Sequence, residues 1–154
     1  MVATLFAVVA VLGTGVVYGT DVFCAMVQRP ALARVDDHAL LAVMGNVHRY
    51  GDRRMRLPGL LGLAAAAISA ALASAFGRWA QAGAAGAAVA LLLVWLLLYL
   101  KVSAPINRQL IAGADRPELP TDARALQRDW DKVITLRATL QGLAVTALCL
   151  SMLV

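Results

Sequence analysis

The amino-acid sequence predicts an all-α, polytopic membrane protein: one domain over residues 1–154, built as a four-helix transmembrane bundle with an amphipathic helix on an inner loop. Three observations predict it. Of 154 residues, 61% are hydrophobic and 15% charged, against about 45–50% and about 25% in an ordinary soluble domain. Four segments each reach the roughly 20 mostly apolar residues that a bilayer span needs. The basic residues gather on one side of those segments, as expected when Lys and Arg are retained in cytoplasmic loops.

The first span, about residues 2–26, has no charge before Asp21. It is too long for a signal-peptide core and lacks a basic start, so it reads as a retained helix. The second, 57–76, carries Pro58 in its first turn, where the missing N–H costs nothing. The third, 79–100, is uncharged, and its Leu91 to Leu98 half suits lipid. The fourth, 133–154, is interrupted only by Arg137. Of the 14 Lys and Arg residues, Arg78 alone falls between the second and third spans; the others lie in 27–56 or 101–137. This places both long loops in the cytoplasm and both termini outside, in the cell inner (plasma) membrane.

Within the first long loop Leu40, Val43, Met44 and Val47 recur at i, i+3, i+4 and i+7, the stripe of an amphipathic helix. That helix is expected along the inner interface, with Asp36 and Asp37 at its positive N-terminal end. In the second loop Pro105 is expected to close the third helix, and Gly113, Pro117 and Pro120 mark a turn-rich stretch. A helix then restarts at Thr121-Asp122 and runs into the fourth span, with Leu126, Trp130, Val133 and Arg137 on one face. Helices in lipid associate by close approach. The small residues available are Gly15 and Gly19 in a GxxxG, with Ala66, Ser69, Ala70, Ala73, Ala82 and Gly86, and such faces also allow a homo-oligomer.

The net charge of +5 points to anionic lipid head groups. No aromatics interleave the basic residues as in a nucleic-acid binder, so membrane lipids and not nucleic acid are the expected partners. Cys24 and Cys149 fall at opposite membrane faces, too far apart for a disulfide, and no CxxC or zinc spacing is present. The absence of GxxxxGK[ST], GxSxG and HExxH disfavours nucleotide, serine-hydrolase and zinc-hydrolase chemistry.

Asp21 is the most informative residue, because an acid inside a span costs on the order of 2.5–3.5 kcal/mol and by default marks a functional site. Tyr18 and Cys24 lie three residues to either side, on the same helical face, and Arg137 enters the fourth span at the same depth. An Asp21–Arg137 pair is the expected compensation, either as part of a site or as a tie between two helices. His48 and His38 are the two histidines. His48 sits in Asn46-Val47-His48-Arg49-Tyr50-Gly51-Asp52, where an imidazole can exchange a proton near neutral pH, whereas His38 reads as a surface residue. Their spacing is not that of a metal site. Asn107, just past the third span, and Trp130, two turns before Arg137, join Asp21, His48 and Arg137 at the inner mouth of the bundle, where bundle proteins build ligand sites.

Gly19-Thr20-Asp21-Val22-Phe23 leading to Arg29-Pro30-Ala31-Leu32, Ala104-Pro105-Ile106-Asn107-Arg108-Gln109-Leu110, and Trp130 followed by Arg137 resemble the anthrone oxygenase-like family of small four-span membrane proteins. The likeness runs over nearly the whole chain; the position four after the tryptophan, commonly polar in that family, is Ile134 here. The resemblance implies oxygenation of an anthrone-type polyketide to an anthraquinone without flavin, haem or metal, on a flat hydrophobic aromatic that enters from the bilayer. Asp21 or His48 would be the base, and Arg137 and Asn107 would hold the enolate oxygen. Tyr18, Asn107 and Trp130 are the expected ligand-binding residues. The same residues also fit a non-catalytic membrane protein that binds a lipid, quinone or partner subunit.

Overall fold

The computed structural model describes residues 1–116 and 122–154, and every described element is helical. α1 (Val2–Phe23) continues through a wide π-turn (Cys24–Gln28) into the short α2 (Arg29–Leu32). α3 (Asp37–Arg54) is followed at once by α4 (Arg56–Ala75), and α5 (Trp79–Leu98) runs through a second π-turn (Tyr99–Ser103) into α6 (Ala104–Ala114). α7 (Ala123–Ser151) completes the chain. Four helical stretches, Val2–Leu32, Arg56–Ala75, Trp79–Ala114 and Ala123–Ser151, are long and apolar enough to cross a bilayer, as in a multi-pass membrane protein. Pro117, Pro120 and Thr121, on which the turn and helix restart were placed, lie outside the described residues.

α1 packs on α4 and α7, and α5 packs on the same two helices, giving a four-sided bundle. Both chain ends lie at one end of it: Ser69 Oγ donates to the Ala3 carbonyl at 2.8 Å, and Arg78 donates to the carbonyl of Val154 at 3.2 Å. The opposite end is closed by α3 lying against α6.

Pro105 does not close the third helix. The N–H of Ala104 reaches back five residues to the Tyr99 carbonyl, and that of Arg29 reaches back five to Cys24. Each widened turn ends two residues before a proline, Pro105 or Pro30, and rearranges the backbone pairing around the missing proline N–H so that the helix continues. The continuation, α6, gives α3 a protein surface to lie on instead of lipid. The buried face of α3 is therefore Leu40, Leu41, Met44, Gly45 and His48. Val43 and Val47 of the expected stripe are 46% and 40% exposed, so the helix is rotated from the interfacial pose. Its N-terminus is as expected, with the Asp36 side chain accepting from the Ala39 N–H at 2.8 Å.

The bundle interior is built from small residues, with Ala10, Ala65, Ala66, Ala88 and Ala144 packed around Leu92 and Leu148. Gly15 and Gly19 are not the contact: a Cβ on either would meet nothing within 4 Å. The close approach is two residues before Gly15, where a Cβ on Gly13 would come within 2.7 Å of the Pro58 carbonyl and 2.8 Å of the Gly62 nitrogen. Gly62 answers from α4, its own Cβ position falling 2.8 Å from the Thr14 nitrogen. Of the face proposed on α5, the fully buried positions are Gln81, Ala85 and Ala88, one residue off Ala82 and Gly86.

Candidate functional site at the α3 end of the bundle

A cavity of about 460 Å³ lies in the half of the bundle nearest α3, within the range of about 300–1,000 Å³ common for small-molecule sites. α1 and its π-turn contribute Asp21 and Cys24, α5 and its π-turn contribute Trp95 and Tyr99, α6 contributes Asn107, and α7 contributes Trp130 and Arg137. His48 and Asp52 reach it from α3, where a spacing of four residues puts both on one face.

The expected Asp21–Arg137 pair is present, with Arg137 Nη2 donating to Asp21 Oδ1 at 2.9 Å and both side chains almost wholly buried. Asp21 is fully engaged. Gln141 Nε2 donates to its Oδ2 at 2.6 Å and Trp95 Nε1 donates to the same oxygen at 3.2 Å. Arg137 is enclosed as well, with Nη1 donating to Ser103 Oγ at 2.8 Å. Its guanidinium lies 5.6 Å from the rings of Trp95 and Tyr99 and 5.8 Å from that of Trp130. Three aromatic faces around a desolvated cation each contribute favourably by the ring quadrupole. Ser103 reaches Arg137 from the second π-turn, a feature often found at functional sites.

A second polar group lines the same cavity and is joined to the first through Tyr99. Asp52 Oδ1 accepts from Tyr99 Oη and from Asn107 Nδ2, each at 2.9 Å. His48, 5% exposed, stacks at a tilt against Trp130 with ring centroids 5.4 Å apart. Burial holds its imidazole down to about 4, with Arg137 acting in the same direction and Asp52 opposing. The ring is therefore neutral at physiological pH. Its Nε2 has no hydrogen-bond partner among the described residues; nor have Asn107 Oδ1, Trp130 Nε1, Arg137 Nε and Thr14 Oγ1, all on side chains that line the cavity. Buried polar groups are normally satisfied, and five of the eight unpartnered buried side-chain atoms among the described residues belong to residues that line this cavity.

Of the residues expected here, Asp21, His48, Asn107, Trp130 and Arg137 all line the cavity. Tyr18 does not. Its ring rests against Gly142 of α7, where a Cβ would lie 3.2 Å from Tyr18 Cε2. His38 is exposed at the start of α3. Ile134 is fully buried in the apolar cluster with Trp130 and Met44. Sequence reasoning missed Gln141, one turn beyond Arg137, and Asp52, one turn beyond His48; in both, the spacing of four was the available signal. It also missed Trp95, which turns inward from the Leu91 to Leu98 segment assigned to lipid, and Tyr99 just beyond it. Leu93, Val94 and Leu97 of that segment do face outward.

Among the described residues no group of three or more His, Cys, Asp or Glu side chains is placed to hold a metal. Cys24 and Cys149 are both free thiols. No protein-family model, no curated protein and no solved structure matches this chain.

Proposed function

We propose that this chain is a plasma-membrane protein, with α3 and the long loops in the cytoplasm, that oxygenates a flat, enolisable aromatic molecule with O₂ in the cavity at its α3 end. The likeness to the anthrone oxygenase-like family supports the reaction class. The observation that carries the assignment of roles is the bare Nε2 of a neutral His48 in a cavity that also holds Arg137. A general base must be unprotonated and within reach of its proton. His48 meets the first condition, whereas both oxygens of Asp21 are occupied by donors. His48 is the base in this reading, and Asp21 is a positioning residue that holds Arg137.

The chemistry needs no further group. His48 takes a proton from a methylene flanked by aromatic rings, and the enolate oxygen is held by the free Nε–H of Arg137 and by Trp130 Nε1–H. The delocalised carbanion passes one electron to O₂, and the two radicals join in a C–O bond. The peroxide takes up the proton from His48. Loss of the second C–H proton with cleavage of the O–O bond expels water and leaves a carbonyl. In sum, CH₂ and O₂ give C=O and H₂O, with four electrons lost by carbon and four gained by O₂.

The test is oxygen uptake by the purified protein with an anthrone such as emodin anthrone. One O₂ consumed per anthrone, slowed by His48→Gln, is expected; no uptake above the protein-free rate with a panel of aromatic enols would sink the catalytic reading. The saturation of Asp21 favours a second reading, a non-catalytic protein that binds a lipid or quinone in the same cavity, and that outcome would leave it standing. The orientation rests on the basic residues. Thiols introduced by Arg34→Cys and Val154→Cys should be labelled from opposite sides of sealed vesicles.

A further inference from the structure

We infer that the cavity's ligand carries an acidic group, a carboxylate or a phosphate, which seats between Arg56 and Arg108 at the rim while its apolar body enters from the membrane leaflet. The inference rests on the reading of the cavity as a site for an aromatic small molecule and adds the ligand's charge and its route.

Arg56 opens α4 and Arg108 lies one residue past Asn107 on α6; both line the cavity, and both are exposed. Together with the engaged Arg137 they are the Lys and Arg residues that line the cavity; nearby, Arg49 pairs with Asp115 at 2.5 Å, and Arg124 is held by Asp37 and by the carbonyls of Leu32 and Val35. Among the described residues Arg56 and Arg108 have neither an ion pair nor a hydrogen bond. Asp52 is the one acid lining this part of the cavity, and its Oδ1 is already committed to Tyr99 and Asn107. Two guanidiniums against one carboxylate leave a positive rim, and guanidiniums suit carboxylate or phosphate oxygens.

The wall above this rim is aliphatic. Leu60 and Leu63 of α4 face Leu96 and Leu100, from α5 and its π-turn, around the cavity. Leu60 and Leu100 are also 62% and 53% exposed, so the same side chains face both the cavity and the surrounding lipid. An amphiphile dissolved in the leaflet holds its acid at headgroup depth and its rings in the hydrocarbon. It can slide between the start of α4 and the end of α5 without moving its charge through lipid, where each ionised group is costly. Its far edge then meets the orphan donors of Trp130 and Arg137.

The experiment measures energy transfer from protein tryptophan to anthracene-2-carboxylate and to anthracene-2-carboxamide. The protein sits in phosphatidylcholine nanodiscs, and the signal of empty nanodiscs is subtracted. The acid should bind at least tenfold more tightly than the amide. Arg56→Gln with Arg108→Gln should remove that preference and leave amide binding within about twofold, which also reports that the variant is folded. Arg34→Gln with Arg128→Gln removes the same charge away from the cavity and should keep the preference. If replacing half the lipid by phosphatidylglycerol weakens acid binding in the wild type only, a lipid phosphate fills the same site and is the source of the acid. Equal binding of acid and amide, or loss of the preference in the Arg34 and Arg128 variant, overturns the inference alone. Binding of neither probe overturns it together with the ligand-site reading.

Discussion

Asp21 and Arg137 meet at 2.9 Å although 116 positions separate them, and they tie α1 to α7 in the middle of an apolar bundle. Neither charge is affordable alone, since breaking a buried pair leaves an uncompensated ion at a cost of about 3–5 kcal/mol. Asp21→Asn and Arg137→Gln should each lower the thermal midpoint in detergent sharply. The double variant should recover most of that loss, because the remaining amides can still bond Gln141 and Ser103. A cycle with coupling below about 0.5 kcal/mol would show that the two groups do not depend on each other.

The crossing of α1 and α4 is set by Gly13 and Gly62 and not by the GxxxG that catches the eye. Gly13→Ala puts a methyl against backbone atoms that cannot rotate away, and overpacking of this kind costs about 1–3 kcal/mol. Gly15→Ala and Gly19→Ala place a methyl in open space and should gain up to about 1 kcal/mol of helix propensity. Thermal unfolding of the three variants in one detergent separates them; destabilisation by Gly15→Ala instead would point to a second copy packed on that face.

His48 makes stability depend on pH in a fixed direction. Folding lowers its proton affinity from the ordinary 6.5 to about 4, so the unfolded chain binds the extra proton between those values and stability rises with pH. The contribution is complete above about pH 6.5 and is lost as pH falls towards 4. At pH 5 the loss amounts to on the order of 2 kcal/mol. The wild type should therefore lose stability between pH 7 and pH 5 relative to His48→Gln. Parallel curves for the two proteins would mean that the imidazole is not buried as described.

Much of this arrangement was legible in the residues because lipid leaves few choices. The four spans and the pairing of Asp21 with Arg137 follow from the need to bury polar groups in hydrocarbon. Pro105 misled because its usual effect is to stop a helix, and only the π-turn at Tyr99–Ser103 shows how the backbone is re-paired around it. That one misreading carried others with it. Without α6 there is no surface for α3 to pack on, so the rotation that buries His48 and turns Val43 outward was invisible. Tyr18 and Trp95 were hard to place for a similar reason: each is an aromatic in an apolar run, and only the packing shows that Tyr18 rests on Gly142 of α7 while Trp95 turns in to bond Asp21.

In the proposed reaction, proton abstraction by His48 is the central step, and it is separable from oxygen chemistry. Under argon in D₂O the protein should speed exchange of the anthrone methylene hydrogens, followed by proton NMR. His48→Gln should slow this by about 10²–10⁴-fold while leaving binding of the anthrone unchanged. Exchange at the buffer rate in the wild type, or equal exchange in both proteins, would contradict the assignment of His48 as the base.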